Sequence, residues 1–118
     1  MFNHVSLKVK EIAASASFYE AALAPLGIIK SSASETSAGF GPPGAPGFFL
    51  SQGRPSGVVH IAFDAKTRAQ VDAFYQAGLR AGGKDNGKAG LRPVYGPSYY
   101  GAFLYDPDGN NIEAVCLK

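Results

Sequence analysis

Residues 106–115 read DPDGNNIEAV, a turn followed by a strand that carries one carboxylate. Asp-Pro and Asp-Gly are turn dipeptides, because proline fixes φ, aspartate bonds its own backbone and glycine accepts positive φ. In the strand that follows, alternation places Ile112 and Ala114 on one face and Glu113 and Val115 on the other. An ionised carboxylate is costly to bury in an apolar strand unless a cation or hydrogen-bond donors meet it. Glu113 therefore indicates either a solvent-exposed face or a face on which a positively charged group lies opposite the carboxylate.

Length and composition limit the classes of function. The 118 residues are 46% hydrophobic and 17% charged, which is typical of one soluble globular domain spanning residues 1–118. The net charge of +2 is small and dispersed, and no basic cluster suggests nucleic-acid binding. No apolar run approaches the length of a membrane span, and the residues after Met1 lack the pattern expected of a signal peptide. Cys116 has no disulfide partner in the chain, which fits a reducing compartment. Together these observations predict a cytoplasmic protein that binds neither nucleic acid nor membrane.

The first half of the chain predicts a strand, a helix and three strands. Residues 2–9 alternate, so that His4, Ser6 and Lys8 share one face. Helical spacing follows over residues 11–26 and ends at a proline and a glycine. Three short strands are then predicted at 27–33, 36–41 and 47–52.

The second half repeats this pattern. Subtracting 56 from each number aligns residues 60–83 with residues 4–27, and eight of these 24 positions are identical, His60 with His4 among them. This identity indicates an internal duplication. A helix is predicted over residues 67–79, with a capping box formed by Thr67 and Gln70. A glycine- and lysine-rich loop is expected at 84–90, followed by strands at 91–95, 99–105 and 111–117.

The duplication brings chemistry-bearing residues together. If two equal β-α-β-β-β units pack side by side, His4 and His60 approach one pseudo-twofold axis, on the face away from the helices. Glu113 would reach the same concave face. Two neutral imidazoles and a carboxylate form a facial set for a divalent metal and leave positions open for water or substrate.

These residues resemble the vicinal oxygen chelate superfamily, which includes glyoxalase I, extradiol dioxygenases, and fosfomycin and bleomycin resistance proteins. The resemblance rests on the strand with His4, the strand with His60 and the closing turn with Glu113. It implies an α+β fold in which two paired β-α-β-β-β modules form a cup-shaped mixed sheet, module one at 1–53 and module two at 57–118. It also implies that His4, His60 and Glu113 bind the metal.

The chain departs from individual members of that superfamily. Where glyoxalase I has a fourth ligand on the last strand of its first module, this chain has Phe49 or a neighbour, so the usual glyoxalase proton shuttle lacks a carboxylate. Fosfomycin-modifying members carry basic residues beyond the final glutamate, whereas only five residues follow Glu113 here. Bleomycin-binding members lack the metal triad, and extradiol dioxygenases are usually more than twice this length.

Residues near the closing motif are expected to line the cup. We predict substrate-binding roles for a set of five: Arg92, Tyr95, Tyr99, Tyr100 and Ser6. The guanidinium of Arg92 is suited to binding an anionic group through two hydrogen bonds. The tyrosines have an alternative reading as half-buried sheet residues, because aromatic residues favour strands.

The sequence therefore predicts a small metal-dependent enzyme of the glyoxalase/dioxygenase type, whose small polar substrate chelates a divalent metal through adjacent oxygens. The metal would be Zn, Fe(II), Mn, Ni or Co, and the general base is not identified. One alternative is a non-catalytic, ligand-sequestering protein of the bleomycin-resistance type, and another is a metal retained only for structure. A homodimer is expected, and His4 would complete the site of a neighbouring chain if the modules pair across subunits.

Overall fold

The computed structural model describes residues 1–118. Eight strands and two α-helices follow one another along the chain, with a short 3₁₀ turn at Ala24–Leu26 after the first helix. Their bounds are β1 Val5–Val9, α1 Ile12–Leu23, β2 Ile29–Ala33, β3 Ser37–Gly41, β4 Phe48–Gln52, β5 His60–Asp64, α2 Arg68–Arg80, β6 Lys84–Leu91, β7 Tyr100–Tyr105 and β8 Asn111–Cys116.

The strands form two four-stranded sheets of the same design. The order is β1-β4-β3-β2 in one sheet and β5-β8-β7-β6 in the other. In each sheet the first strand pairs parallel with the last, and the remaining pairs are antiparallel. The α+β fold with two β-α-β-β-β modules and mixed sheets is therefore confirmed, and the shared strand order matches the internal repeat.

One predicted stretch is wrong. Residues 84–90 form most of strand β6 rather than a loop, and residues 93–95 lie in a turn rather than in a strand. Lysine and glycine disfavour strands locally, but the backbone of β6 pairs with β7, and the register shifts near Gly87, where φ is 145°. Cross-strand pairing and glycine freedom thus override the local preference.

The helices bury the expected faces. Phe18, Tyr19 and Leu23 of α1 and Phe74 of α2 are completely or almost completely buried. The predicted cap of α2 forms in part. The Thr67 hydroxyl accepts a hydrogen bond from the Gln70 amide at 3.1 Å. The Gln70 side chain accepts from the amide of Lys66, at 2.7 Å, and not from that of the cap residue itself.

A buried polar clamp joins the two modules. The hydroxyl of Tyr19 in α1 donates to Asp106 Oδ2 at 2.5 Å, in the turn between β7 and β8. Both residues are buried, with 0% and 4% of their surface exposed. The backbone amide of Lys10 also donates to the carboxylate of Asp108, at 3.2 and 3.3 Å. The modules of one chain are thus joined through their helices and this turn.

This arrangement leaves the sheet faces opposite the helices open. His4, Ser6 and Lys8 in the first sheet are exposed, as are His60, Ala62 and Asp64 in the second. The strands β1 and β5 are edge strands of their sheets. No helix is both long and apolar enough to cross a membrane.

Candidate functional site

The carboxylate of Glu113 lies at the centre of the second sheet. Its strand, β8, runs between β5 and β7, and Glu113 pairs with Ala62 on one side and Phe103 on the other. Residues paired in this way point to the same face, so Glu113 shares the open face with His60. Only 2% of the glutamate is exposed.

Both oxygens of this buried carboxylate have hydrogen-bond partners. Oε1 lies 2.7 Å from His60 Nε2, and Oε2 accepts a hydrogen bond from the hydroxyl of Tyr99. Burial, followed by the hydrogen bond to Glu113, raises the pKa of Tyr99 to about 12. The phenol therefore remains a proton donor at neutral pH. These two partners offset the cost of burying the charge that the sequence analysis identified.

Gly101 leaves space for the ring of Tyr99. A Cβ added at Gly101 would lie 3.2 Å from Tyr99 Cε1 and 3.6 Å from Glu113 Oε2. The ring therefore lies against the backbone of β7 at a position where a side chain would displace it. Tyr95 packs on the same ring, with the two ring centroids 5.2 Å apart. Sequence reasoning missed Gly101, because a lone glycine in a strand does not reveal what approaches it.

Arg92 lies on the same face, farther from β5. Its guanidinium carbon is 5.4 Å from the ring centroid of Phe103, and Nη2 donates to the carbonyl of Lys88 at 2.6 Å. Added Cβ atoms at Gly87 and Gly90 would lie 3.2 and 3.3 Å from its guanidinium nitrogens. The glycines of β6 that suggested a loop therefore make room for this cation.

The register connects these groups into one surface. Going across the sheet from β5, the register places Ala62, Glu113, Phe103 and Gly87 side by side. His60 contacts Glu113, and the guanidinium of Arg92 lies over Phe103. The rings of His60 and Phe103 are 6.3 Å apart. We call this surface the open face of module two. With neighbouring strands about 4.8 Å apart, it spans the length of a small molecule.

Tyr100 points the other way. Its hydroxyl donates to Asp72 Oδ1 of α2 at 2.6 Å, and the guanidinium of Arg68 lies over its ring at 5.2 Å. Because side chains alternate along a strand, Tyr100 lies on the helix side while Gly101 faces the open side. The structure thus separates Tyr100 from the other predicted substrate-binding tyrosines.

His4 immediately precedes β1, and Ser6 lies on this strand of the first sheet. The Nδ1 atom of His4 is 2.8 Å from Asn3 Oδ1, and its ring packs edge-on against Phe49 at 5.9 Å. Ser6 pairs with Phe49 in the same register in which Ala62 pairs with Glu113. Phe49 is therefore the counterpart of Glu113 in module one, and this position offers no carboxylate.

A single chain does not assemble the expected triad. No group of three or more His, Cys, Asp or Glu side chains is placed to hold a metal ion. The three predicted ligands are thus not grouped within one chain, whose modules contact each other through their helices. His60 and Glu113 by themselves suit two positions of a divalent cation, since imidazole nitrogen and carboxylate oxygen are common ligands. Tyr99 is placed to orient the carboxylate in the manner of an outer-shell partner.

Comparison with known proteins identifies the family. Residues 1–114 match the family model of the Glyoxalase/Bleomycin resistance protein/Dioxygenase superfamily. The chain belongs to this superfamily. A glyoxalase/bleomycin resistance protein from Albidiferax ferrireducens is 32% identical, with 98% of each chain covered and a TM-score of 0.81. A glyoxalase/bleomycin resistance protein/dioxygenase family enzyme from Burkholderia phytofirmans is 19% identical, with 98% of each chain covered and a TM-score of 0.73, and it supports the fold alone. A search of curated proteins found no match.

Membership in the superfamily agrees with the sequence resemblance. The matched range includes all the segments on which that resemblance rests: the two predicted strands with His4 and His60 and the closing turn with Glu113.

Proposed function

We propose that this protein is a small metal-dependent enzyme of the glyoxalase/dioxygenase type, which acts on a small substrate that chelates a divalent metal through adjacent oxygens. One observation carries the proposal. Glu113 is 2% exposed on an open sheet face and has a histidine on one oxygen and a tyrosine on the other. An imidazole nitrogen beside a carboxylate oxygen is a ligand pair that divalent metals commonly use.

The hydrogen-bonding and charged residues of the open face each have a role in this proposal. His60 and Glu113 hold the metal, which would be Zn, Fe(II), Mn, Ni or Co, and Tyr99 fixes the orientation of the carboxylate. When bound, the metal supplies positive charge that stabilises negative charge developing on chelated oxygens. Arg92 binds an anionic group of the substrate, and Tyr95 supports the ring of Tyr99.

The third metal ligand is proposed to be His4 of a second copy of the chain. The clamp between Tyr19 and Asp106 holds the modules of one chain together through their helices, so each open face is free to meet another molecule. Apolar residues near the edge strands support this association. They are exposed by 36% or more: Phe2, Val5, Val58 and Val59. We propose a homodimer in which the face with His4 and Ser6 covers the open face of module two.

A non-catalytic ligand-binding protein is the second candidate, and one observation favours it. Tyr99 is the only side chain besides His60 that is hydrogen-bonded to Glu113, and its raised pKa makes it a poor base at neutral pH. No general base is therefore in contact with the pair. A protein of this kind would retain ligand affinity without turnover.

The test is metal analysis of protein purified without chelators or a histidine tag. We expect near-stoichiometric transition metal in the wild type and loss of it in Glu113→Gln. His4→Gln should also lose metal, whereas Lys8→Gln, on the same exposed face of β1, should retain it. Iron would direct the assay toward dioxygen chemistry, and nickel or zinc toward isomerase or transferase chemistry.

Mixing the two variants that are expected to lose metal distinguishes a site shared between chains from a site within one chain. After dissociation and reassociation, half of the dimers of His4→Gln and Glu113→Gln would be mixed, each with one intact site. About a quarter of the wild-type metal content should therefore return. No return would refute the contribution of His4 from a second copy. Absence of metal in the wild type, even after loading with excess divalent ions, would refute the metal-dependent enzyme and leave the ligand-binding protein.

A further inference from the structure

A polar cavity lies between strand β1 and the connector that joins the two modules. Its volume is about 520 Å³, and small-molecule sites have volumes of roughly 300–1,000 Å³. Only three of its nine lining residues are hydrophobic, and two of the others are the cations Lys8 and Arg54. No aspartate or glutamate lines it. The cavity is therefore positively charged, in contrast to the open face of module two, which holds a carboxylate.

Neither cation of the cavity is paired with an acid. The structure contains two ion pairs, and neither of them includes Lys8 or Arg54. Two positive charges on the walls of one cavity raise the electrostatic potential inside it, which attracts an anion. The charge of the cavity thus indicates the sign of a ligand.

The backbone of the connector restrains the side chain of Lys8. A Cβ added at Gly53 would lie 3.1 Å from Cδ of Lys8 and 3.6 Å from its Nζ. The lysine side chain therefore lies across the glycine, which precedes Arg54 in the chain. Gly53 is held in turn, because its amide donates to the carbonyl of Val9 at 2.9 Å. This packing brings the ammonium of Lys8 close to the backbone from which Arg54 extends.

The connector also supplies uncharged hydrogen-bond donors. Ser56, Gly57 and Val58 line the cavity, and their backbone amides donate no hydrogen bond within the chain. The end of the connector is fixed, since the amide of Val59 donates to Asn110 Oδ1 at 2.9 Å. Successive backbone amides and a hydroxyl are donors that bind the oxygens of an anion. These groups add hydrogen-bonding capacity to the two charges.

We propose that this cavity is a ligand site separate from the open face, and that it binds the phosphate group of a small phosphomonoester. A dianionic phosphate matches the two cations, and a guanidinium binds phosphate oxygens through two parallel hydrogen bonds. The cavity is larger than a single phosphate ion. Val58 and Val59, which are 71% and 41% exposed, offer apolar surface to the organic part of an ester. The site uses neither the metal nor Glu113, so it goes beyond the proposed function and does not depend on it.

The test is calorimetry of the full chain with phenyl phosphate, in the presence of a chelator so that no metal binds the probe. We expect saturable binding to the wild type. Lys8→Gln and Arg54→Gln should each weaken it about tenfold or more, because each removes a hydrogen-bonding charge from the phosphate. Absence of binding to the wild type, or full affinity in both variants, would overturn the proposal.

Two control variants separate this cavity from the general charge of the protein. Lys10→Gln removes the same charge as Lys8→Gln from a nearby exposed residue that does not line the cavity. Arg92→Gln removes the cation of the open face. Both should bind phenyl phosphate like the wild type. If Lys10→Gln weakens binding as much as Lys8→Gln, or if Arg92→Gln abolishes it, the assignment to this cavity is overturned.

Gly53→Ala tests the geometry while both charges stay in place. The added Cβ would press on Cδ of Lys8 and displace the ammonium, so the affinity for phenyl phosphate should fall several-fold. Unchanged affinity would overturn the role assigned to the packing of Lys8 on the connector.

Two further probes identify the chemistry of the ligand. Inorganic phosphate should bind more weakly than phenyl phosphate, because it lacks the organic group. Benzoate has the same ring but a single negative charge, and it should also bind more weakly. Affinity for inorganic phosphate equal to that for phenyl phosphate would assign the cavity to the free ion, and equal affinity for benzoate would assign it to carboxylates. Either result would overturn the phosphomonoester.

The remaining outcomes concern the metal and the second copy of the chain. A protein that binds phenyl phosphate but no metal would support this inference and refute the proposed function. Binding that occurs only when the protein is diluted to a monomer would show that a second copy covers the cavity, and it would overturn the inference.

Discussion

The hydrogen bond between Tyr19 and Asp106 is predicted to stabilise the packing of the two modules, and Tyr19→Phe tests this. The substitution removes one oxygen from a fully buried ring and leaves the ring packing unchanged. Asp106 Oδ2 would retain only the donor from the Asn110 side chain, at 2.8 Å, whereas Oδ1 keeps the amides of Asp108 and Asn110.

The expected magnitude follows from the charge of the acceptor. A hydrogen bond to a charged group contributes about 1.5–3 kcal/mol, and the loss of one of four donors to a buried carboxylate falls in this range. We therefore expect a decrease of about 2 kcal/mol in the free energy of unfolding, and a decrease of roughly 8 °C in Tm for a domain of this size. Urea denaturation followed by far-ultraviolet circular dichroism measures it, since the chain has no tryptophan.

The pH dependence gives a second measurement of the same bond. Burial, and then the Asp106 carboxylate, raise the pKa of Tyr19 far above its ordinary value of 10.0. The folded state thus favours the protonated phenol, so its contribution is constant below pH 10 and is lost as the pH rises further. The stability of the wild type should fall more steeply above pH 10 than that of Tyr19→Phe.

Tyr105→Phe is the matched control, because it removes the same atom from a tyrosine that is 39% exposed. Its effect should stay within about 0.5 kcal/mol. If Tyr19→Phe destabilises the protein no more than this control, or if both proteins respond equally to alkaline pH, the reasoning on the clamp is refuted.

Three further substitutions test the packing and the open face. Gly78→Ala should destabilise the protein by about 1 kcal/mol in urea denaturation, because an overpacking cost of about 1–3 kcal/mol exceeds the gain in helix propensity. The added Cβ would lie 2.2 Å from the Cδ1 atom of Leu104 in β7. The control Gly57→Ala should leave the free energy of unfolding nearly unchanged, because a Cβ there meets nothing within 4 Å. Equal effects of the two substitutions would contradict this packing. Arg92→Gln should weaken calorimetric binding of oxalate to metal-loaded protein about tenfold or more, and unchanged affinity would exclude the guanidinium as the anion-binding group. Gly101→Ala should displace the ring of Tyr99 and lower metal affinity about tenfold in a chelator competition assay, an effect that Tyr99→Phe should reproduce.

Much of the fold could be predicted from local patterns. The duplication, both helices, and the strands with His4, His60 and Glu113 are evident from periodicity and from the offset of 56 residues. The sequence also predicted that Phe49 or a neighbour replaces a ligand in module one. The strand register agrees, because Phe49 pairs with β1 in the way that Glu113 pairs with β5. These features depend on neighbours in sequence or on the repeat, and both can be read directly.

The chain by itself thus determined which residues alternate onto which face, and it identified Glu113 as a carboxylate that needs partners. Only the tertiary structure decided what those partners are. Tyr99 reaches Glu113 because Gly101 leaves space on the neighbouring strand, and β6 forms because β7 pairs with it. The position of His4 relative to His60 likewise depends on how the modules pack. Side-chain alternation is a property of one strand, whereas register, close approach across strands and packing between modules depend on residues far apart in sequence.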